Sequence, residues 1–166
     1  MGSRGNRATS SHGRPLVIAP AVRDERACGA VFEADAVAES VASLRHSAVA
    51  ALRRWHVPEE TLETVELLTS ELVTNAVEHS QYPAGDIGGD RGGERSAPVW
   101  TRVRICGQAV VLEVWDGDPT PPLPREAELH DECGRGLLLL QALADRCGYY
   151  WPSVGGKVVW AQVSLG

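Results

Sequence analysis

Within the stretch Glu71-Leu-Val-Thr-Asn-Ala-Val-Glu-His-Ser80, a carboxylate and a carboxamide stand four residues apart, at Glu71 and Asn75. At the ~100° per residue of a helix, the two lie one above the other on one face, with Glu78 and His79 in the same arc. Leu62, Val65, Leu72, Val73, Ala76 and Val77 fall on the opposite side. A core helix needs only this second set. The first set joins a proton acceptor to a neutral oxygen ligand, which could hold a metal and a reacting proton near one another. Taken alone, the pair also fits a plain solvated helix face.

Three other stretches bear on the choice. Asp116-Gly117 closes an apolar run; an aspartate there accepts hydrogen bonds and the glycine admits a planar ligand close to the backbone, although a turn after a strand has the same residues. Gly134-Arg-Gly136 opens an apolar helical segment. Unsatisfied amides and the positive dipole end make such a start an anion site, and glycines let phosphate oxygens reach the backbone. An ordinary loop would read the same way. Between the two, Pro119 to Glu132 is rich in proline and acids, which suits either a lid over the anion site or a surface loop.

The elements that must position these residues follow from periodicity. The chain has 166 residues, 43% of them hydrophobic and 23% charged, enough to bury the core of a single domain. A net charge of -6 argues against an exposed nucleic-acid surface, so no direct nucleic-acid partner is expected. Cys28, Cys106, Cys133 and Cys147 are scattered singly, as reduced and mostly core thiols would be, without the spacing of a zinc site or a disulfide framework. No apolar run approaches the ~18 residues of a membrane span and no signal-type core opens the chain. A cytoplasmic protein with no membrane partner is expected.

Residues 1–25 read as a disordered tail and 26–166 as one domain. Leu16 to Ala19 could be a short strand or part of the tail, and Ala27 to Glu33 reads as a first strand. Ala36 to Trp55 carries an amphipathic helical stripe, and a second helix opens at Pro58 and runs to about His79. Residues 81–98 form a long glycine-rich loop with no assigned role. Val99 to Cys106 and Ala109 to Trp115 then follow the period of strands around a turn at Gly107-Gln108. Leu137 to Leu143 reads as a buried helix stopped by Gly148, and Tyr149 to Trp151 and Lys157 to Ser164 as the last strands. Helices grouped on one face of a mainly antiparallel sheet give an α+β two-layer sandwich.

The order of these motifs matches what is needed to hold Mg-ATP, and here the chain resembles the GHKL superfamily of ATPases and kinases, with its Bergerat ATP-binding fold. The segment around Glu71 resembles that family's N box, Asp116-Gly117 its G1 box and Gly134-Arg-Gly-Leu137 its G2 box. The wording Ser70-Glu-Leu-Val-Thr-Asn-Ala-Val-Glu-His-Ser80, with Ala-Leu-Ala-Asp-Arg146, is most similar to the anti-sigma factor serine kinases. The resemblance covers about residues 30–165. It implies that Glu71 is the catalytic base, that Asn75 binds Mg2+ through its side-chain oxygen, and that Asp116, beside Gly117, accepts a hydrogen bond from the adenine amine. Gly134 and Gly136, ahead of Leu137, would offer amides to the phosphates, and Arg135 would add a charge-assisted contact. Glu78 and His79 receive no role.

By the same resemblance the γ-phosphoryl of ATP passes to a serine of a small anti-sigma factor antagonist, and the kinase also binds a sigma factor and forms a homodimer. The chain departs from the pattern in two places. Asp118 and Pro119 follow Gly117 where a second glycine is usual, and Gly156-Lys157-Val158 stands where relatives commonly carry Gly-Lys-Thr. There the threonine helps bind adenine through water. A valine cannot, which implies ATP affinity weaker by about 1 kcal/mol. A catalytically weak or inactive nucleotide-dependent interaction module is the alternative. A histidine-kinase catalytic domain lacks its phosphoacceptor helix here.

Overall fold

The computed structural model describes residues 17–18, 28–80, 97–122 and 135–166. Six strands form one sheet: β1 (Val17–Ile18), β2 (Gly29–Asp35), β3 (Pro98–Cys106), β4 (Ala109–Asp116), β5 (Arg146–Tyr150) and β6 (Lys157–Ser164). Their spatial order is β1-β5-β6-β4-β3-β2, antiparallel throughout except for the parallel pairing of β1 with β5. Helices α1 (Ala38–Arg54), α2 (Glu59–His79) and α3 (Arg135–Leu143) pack on one face. The fold is the expected α+β sandwich.

Each layer contributes a row of apolar side chains to the core. On α2, Leu62, Val65, Leu68, Leu72, Val73 and Ala76 are buried, the i, i+3, i+4 pattern of a helix lying on a sheet. Val110, Leu112 and Val114 of β4 meet them from below with Val159, Ala161 and Val163 of β6, since alternate residues of a strand share a face. The odd-numbered residues of β4 point the other way. They are nevertheless buried, because Arg102, Arg104, Tyr150 and Trp160 cover that side of the central strand.

Three expectations change. Gly148 does not stop α3: it lies inside β5 and pairs with Trp160 and Val17. The helix ends at Leu143, and by Asp145 the backbone amide already bonds the carbonyl of Gln162. The sheet ladder satisfies those groups directly, leaving no connecting turn for a glycine to make. Of the two readings of Leu16 to Ala19 the strand holds, as the short edge strand β1 at Val17–Ile18, so the tail read over residues 1–25 does not include it; the rest of that range lies outside the described residues. Of the cysteines, only Cys147 is a core residue among those described, with Cys106 half-buried and Cys28 exposed.

Candidate functional site

Where α2 ends, it runs over the C-terminal end of β4 and the start of β6, and a cavity of about 330 Å³ opens between them. That volume suits a small-molecule ligand. Its walls are apolar, with Leu72 and Ala76 from α2, Val114 from β4, Leu137 from α3 and Val159 from β6. Polar groups enter from both ends of the motif order. Asn75, Glu78 and His79 come from α2, Asp116 and Asp118 from the end of β4, and Lys157 from β6. Thr120, Pro121 and Pro122, from the stretch read as a lid, also line it; residues 123–132 of that stretch lie outside the described residues, as do residues 81–96 of the glycine-rich loop.

Asp116 is the most deeply placed acid of the cavity, 2% exposed. Antiparallel pairing sets it directly opposite Lys157. The lysine Nζ donates to Asp116 Oδ1 at 2.8 Å and to the carbonyl of Asp118 at 3.1 Å, and lies 3.6 Å from Asp118 Oδ2. The backbone amide of Asp118 also donates to Asp116 Oδ1, at 3.0 Å. Burial pushes the Asp116 carboxyl above the ordinary 3.8, against the pull of Lys157 and of the Asp118 amide. For Asp118 burial is again the largest influence, but hydrogen bonds with Thr120 and the charge of Lys157 together outweigh it and hold its carboxyl below 3.8.

The turn between β5 and β6 is seated on this acid. Gly156 has φ +68°, and a Cβ there would overlap the Asp116 carbonyl oxygen and stand 3.0 Å from the Cα of Gly117, so only glycine fits. Trp115 Nε1 donates to the Gly155 carbonyl at 2.9 Å, and Trp151 Nε1 to that of Pro119 at 2.8 Å. These bonds fix the path of the chain from Asp116 to the prolines of the cavity wall. Gly117 is not among the described lining residues; its close neighbour is Gly156.

At the other end, α3 comes up against α2. A Cβ on Gly136 would lie 2.8 Å from Asn75 Nδ2 and 3.0 Å from Glu71 Oε2. The tertiary packing therefore brings Glu71 and Asn75 to Gly136, 65 and 61 residues further along the chain, with Asn75 facing the cavity and Glu71 beside it but outside its lining. Leu137, 7% exposed, joins the core and the cavity wall. Arg135 begins α3, while its side chain and all of Gly134 lie outside the described residues.

Val158 needs a correction. Its neighbours Lys157 and Val159 line the cavity, so strand alternation sends the fully buried Val158 to the opposite face, paired with Trp115. A hydroxyl there would not point into the cavity, and the expected loss of ATP affinity has no basis at this position. The polar residue that does face the cavity is Lys157, which sequence reasoning passed over. Its signal was a lysine and an aspartate at the facing ends of two apolar strands.

An α+β sandwich with a cavity between helix and sheet, an acid at its floor and a helix with glycine in its first turn at its mouth is the architecture of a nucleotide-binding domain. Residues 34–163 match the family of the histidine kinase-like ATPase domain, and the chain belongs to that family. The GHKL resemblance of the sequence is thereby borne out, and membership implies ATP as ligand. Among solved structures, the RsbU and RsbW domains of Rv1364c from Mycobacterium tuberculosis are similar at TM-score 0.57 and 17% identity, over 82% of this chain. That likeness shows a shared fold; this chain spans 32% of the length of that one. No curated protein matches the chain. No helix among the described residues is long and apolar enough to cross a membrane.

Proposed function

We propose that this chain is an ATP-dependent protein serine kinase of the anti-sigma factor type, acting on a small antagonist protein and holding a sigma factor as its second partner. The convergence of Glu71 and Asn75 on Gly136, beside the cavity that contains Asp116, carries this reading. Asp116 accepts a hydrogen bond from the amine of adenine, and the apolar walls take the ring. The amides of Gly134 and Gly136 hold phosphate oxygens at the start of α3, where Arg135 adds charge. The Asn75 carboxamide, a neutral hard oxygen donor, fits Mg2+ that keeps its phosphate and water ligands. When bound, Mg2+ neutralises charge on the phosphates.

Glu71 takes the proton of the attacking serine hydroxyl as its oxygen bonds to the γ-phosphorus and the bond to the β,γ-bridging oxygen breaks, releasing ADP. Positioning and charge neutralisation supply most of the acceleration. The position of Glu71 outside the cavity lining favours one other reading, a nucleotide-dependent interaction module without transfer.

Labelled ATP, Mg2+ and candidate antagonists separate the two. Wild type is expected to label a serine of one antagonist. Glu71→Ala should still bind ATP and lose labelling by about 100-fold or more, and Asn75→Ala should lose the Mg2+ dependence of binding. A wild-type protein that binds ATP and an antagonist yet never labels it would leave the interaction module as the function.

A further inference from the structure

Both hydrogen bonds of the Asp116 carboxylate go to one oxygen. Lys157 Nζ and the Asp118 amide share Oδ1, and Oδ2 has no partner among the described residues. Lys157 is itself gripped from the far side by the Asp118 carbonyl, with the Asp118 carboxylate 3.6 Å away. Asp118 stands where a second glycine is usual, so this chain supplies the lysine with an acid of its own. The lysine is 5% exposed and faces the cavity. An ammonium so placed cannot turn to solvent without abandoning the buried Asp116 carboxylate.

We propose that Lys157 is a positioning residue for base selection: clamped between Asp116 and Asp118, it holds the Asp116 carboxylate in one orientation as a pure acceptor, with Oδ2 turned to the ligand. The proposal rests on the ATP reading above and names what sets the choice of base. A carboxylate oxygen accepts from the 6-amino group of adenine and repels the 6-oxo group of hypoxanthine, because two acceptors then face each other. A protonated Asp116 would donate to that same 6-oxo group. Burial already favours the protonated form, and Lys157 is the foremost influence opposing it. Among the described residues, the other ionisable groups about the cavity are Asp118, on the segment after β4, and Glu78 and His79 at the end of α2.

The test is the ratio of ATP to inosine triphosphate affinity, measured by calorimetry between about pH 5.5 and 8, below the ionisation of hypoxanthine N1–H, at about millimolar nucleotide. Inosine triphosphate differs from ATP at the group Asp116 would read. Wild type should prefer ATP by about tenfold or more, the scale of one well-placed hydrogen bond against a clash of acceptors, with a ratio flat in pH. In Lys157→Met the ratio should fall about tenfold at the acid end of the range and recover as pH rises, since removing the lysine leaves burial to favour the protonated carboxyl. Lys157→Arg should restore the wild-type ratio. Repeating the series with His79→Gln removes that side chain from the cavity, and the Lys157→Met profile should persist.

Should Lys157→Met fail to fold, Asp118→Asn carries the test, since it loosens the lysine's second anchor at a partly exposed site; a shift of about threefold in the same direction is expected. A folded Lys157→Met with the wild-type ratio at every pH would overturn the proposal, as would an unmoved ratio in Asp118→Asn if that variant has to stand alone. Wild type that binds ATP and inosine triphosphate equally would overturn it while leaving the ATP reading standing. Wild type that binds neither would overturn both.

Discussion

Gly136 shows how much one missing methyl group decides. The two side chains that would meet its Cβ, Asn75 and Glu71, are the ones proposed to hold the metal and take the proton, and both contacts involve the ends of flexible side chains. Gly136→Ala should therefore displace chemistry more than it disturbs the core. It is expected to lower ATP affinity or phosphoryl transfer by about tenfold or more, as misplacement of catalytic groups does, while the melting temperature moves by only a few degrees. Nucleotide titration beside a thermal melt checks this. A melting temperature that collapses along with binding would make Gly136 a packing residue. Asp116 and Lys157 make the complementary point: oppositely charged residues 41 positions apart meet at 2.8 Å because two strands end side by side.

At the scale of elements, the end of α1 carries a residue in an unfavourable conformation. Trp55 caps the helix, and the amides of His56 and Val57 reach back to the carbonyls of Arg53 and Leu52, the paired bonds of a Schellman motif. Its left-handed position is taken by His56, at φ +59°. Val57 and Leu52 are both buried in the core, so the apolar contact that accompanies such a stop compensates. His56→Gly removes the Cβ clash but gives the unfolded chain more freedom. The expected balance is a gain of about 0.5–1 kcal/mol, read as a rise of a few degrees in the melting temperature with nucleotide binding unchanged.

At the scale of the whole molecule, the sheet has two covered faces of different kinds. The helices bury one in a hydrocarbon core. On the other, Glu113 of β4 is 1% exposed, and its carboxylate accepts from Arg102 Nε at 2.6 Å, Arg104 Nε at 3.3 Å and the Tyr150 hydroxyl at 3.2 Å. Burial, followed by the nearby Glu113 charge, pushes the Tyr150 hydroxyl above its ordinary 10.0. Trp100 and Trp115 stack beside this network, their planes 2° apart. Glu113→Ala removes the buried carboxylate shared by Arg102, Arg104 and Tyr150 and is expected to cost about 3 kcal/mol. Glu113→Gln keeps the shape and one acceptor, and should cost about half as much. Urea unfolding midpoints at constant slope check both. Equal stability of wild type and Glu113→Ala would show that solvent replaces the carboxylate.

The alternation of β3, the helical stripes of α1 and α2 and the turn at Gly107-Gln108 were legible in sequence because each depends on residues within a few positions of one another. So was the arc of Glu71 and Asn75, which a helix imposes on any pair four apart. Tertiary structure decided matters that depend on which strands become neighbours. Gly148 reads as a helix stop by its local sequence but is claimed by β5, because the ladder with β6 satisfies its surroundings better than a turn would. The face of Val158 depends on the register of β6 against β4, and a shift of one residue would exchange it with Lys157. The sequence by itself determined the helices, the strands and the type of chemistry each motif can offer. Only the folded chain decided that Gly136 touches Asn75 and that Lys157 holds Asp116, since contacts between distant segments are set by the packing of the whole sheet and its helices.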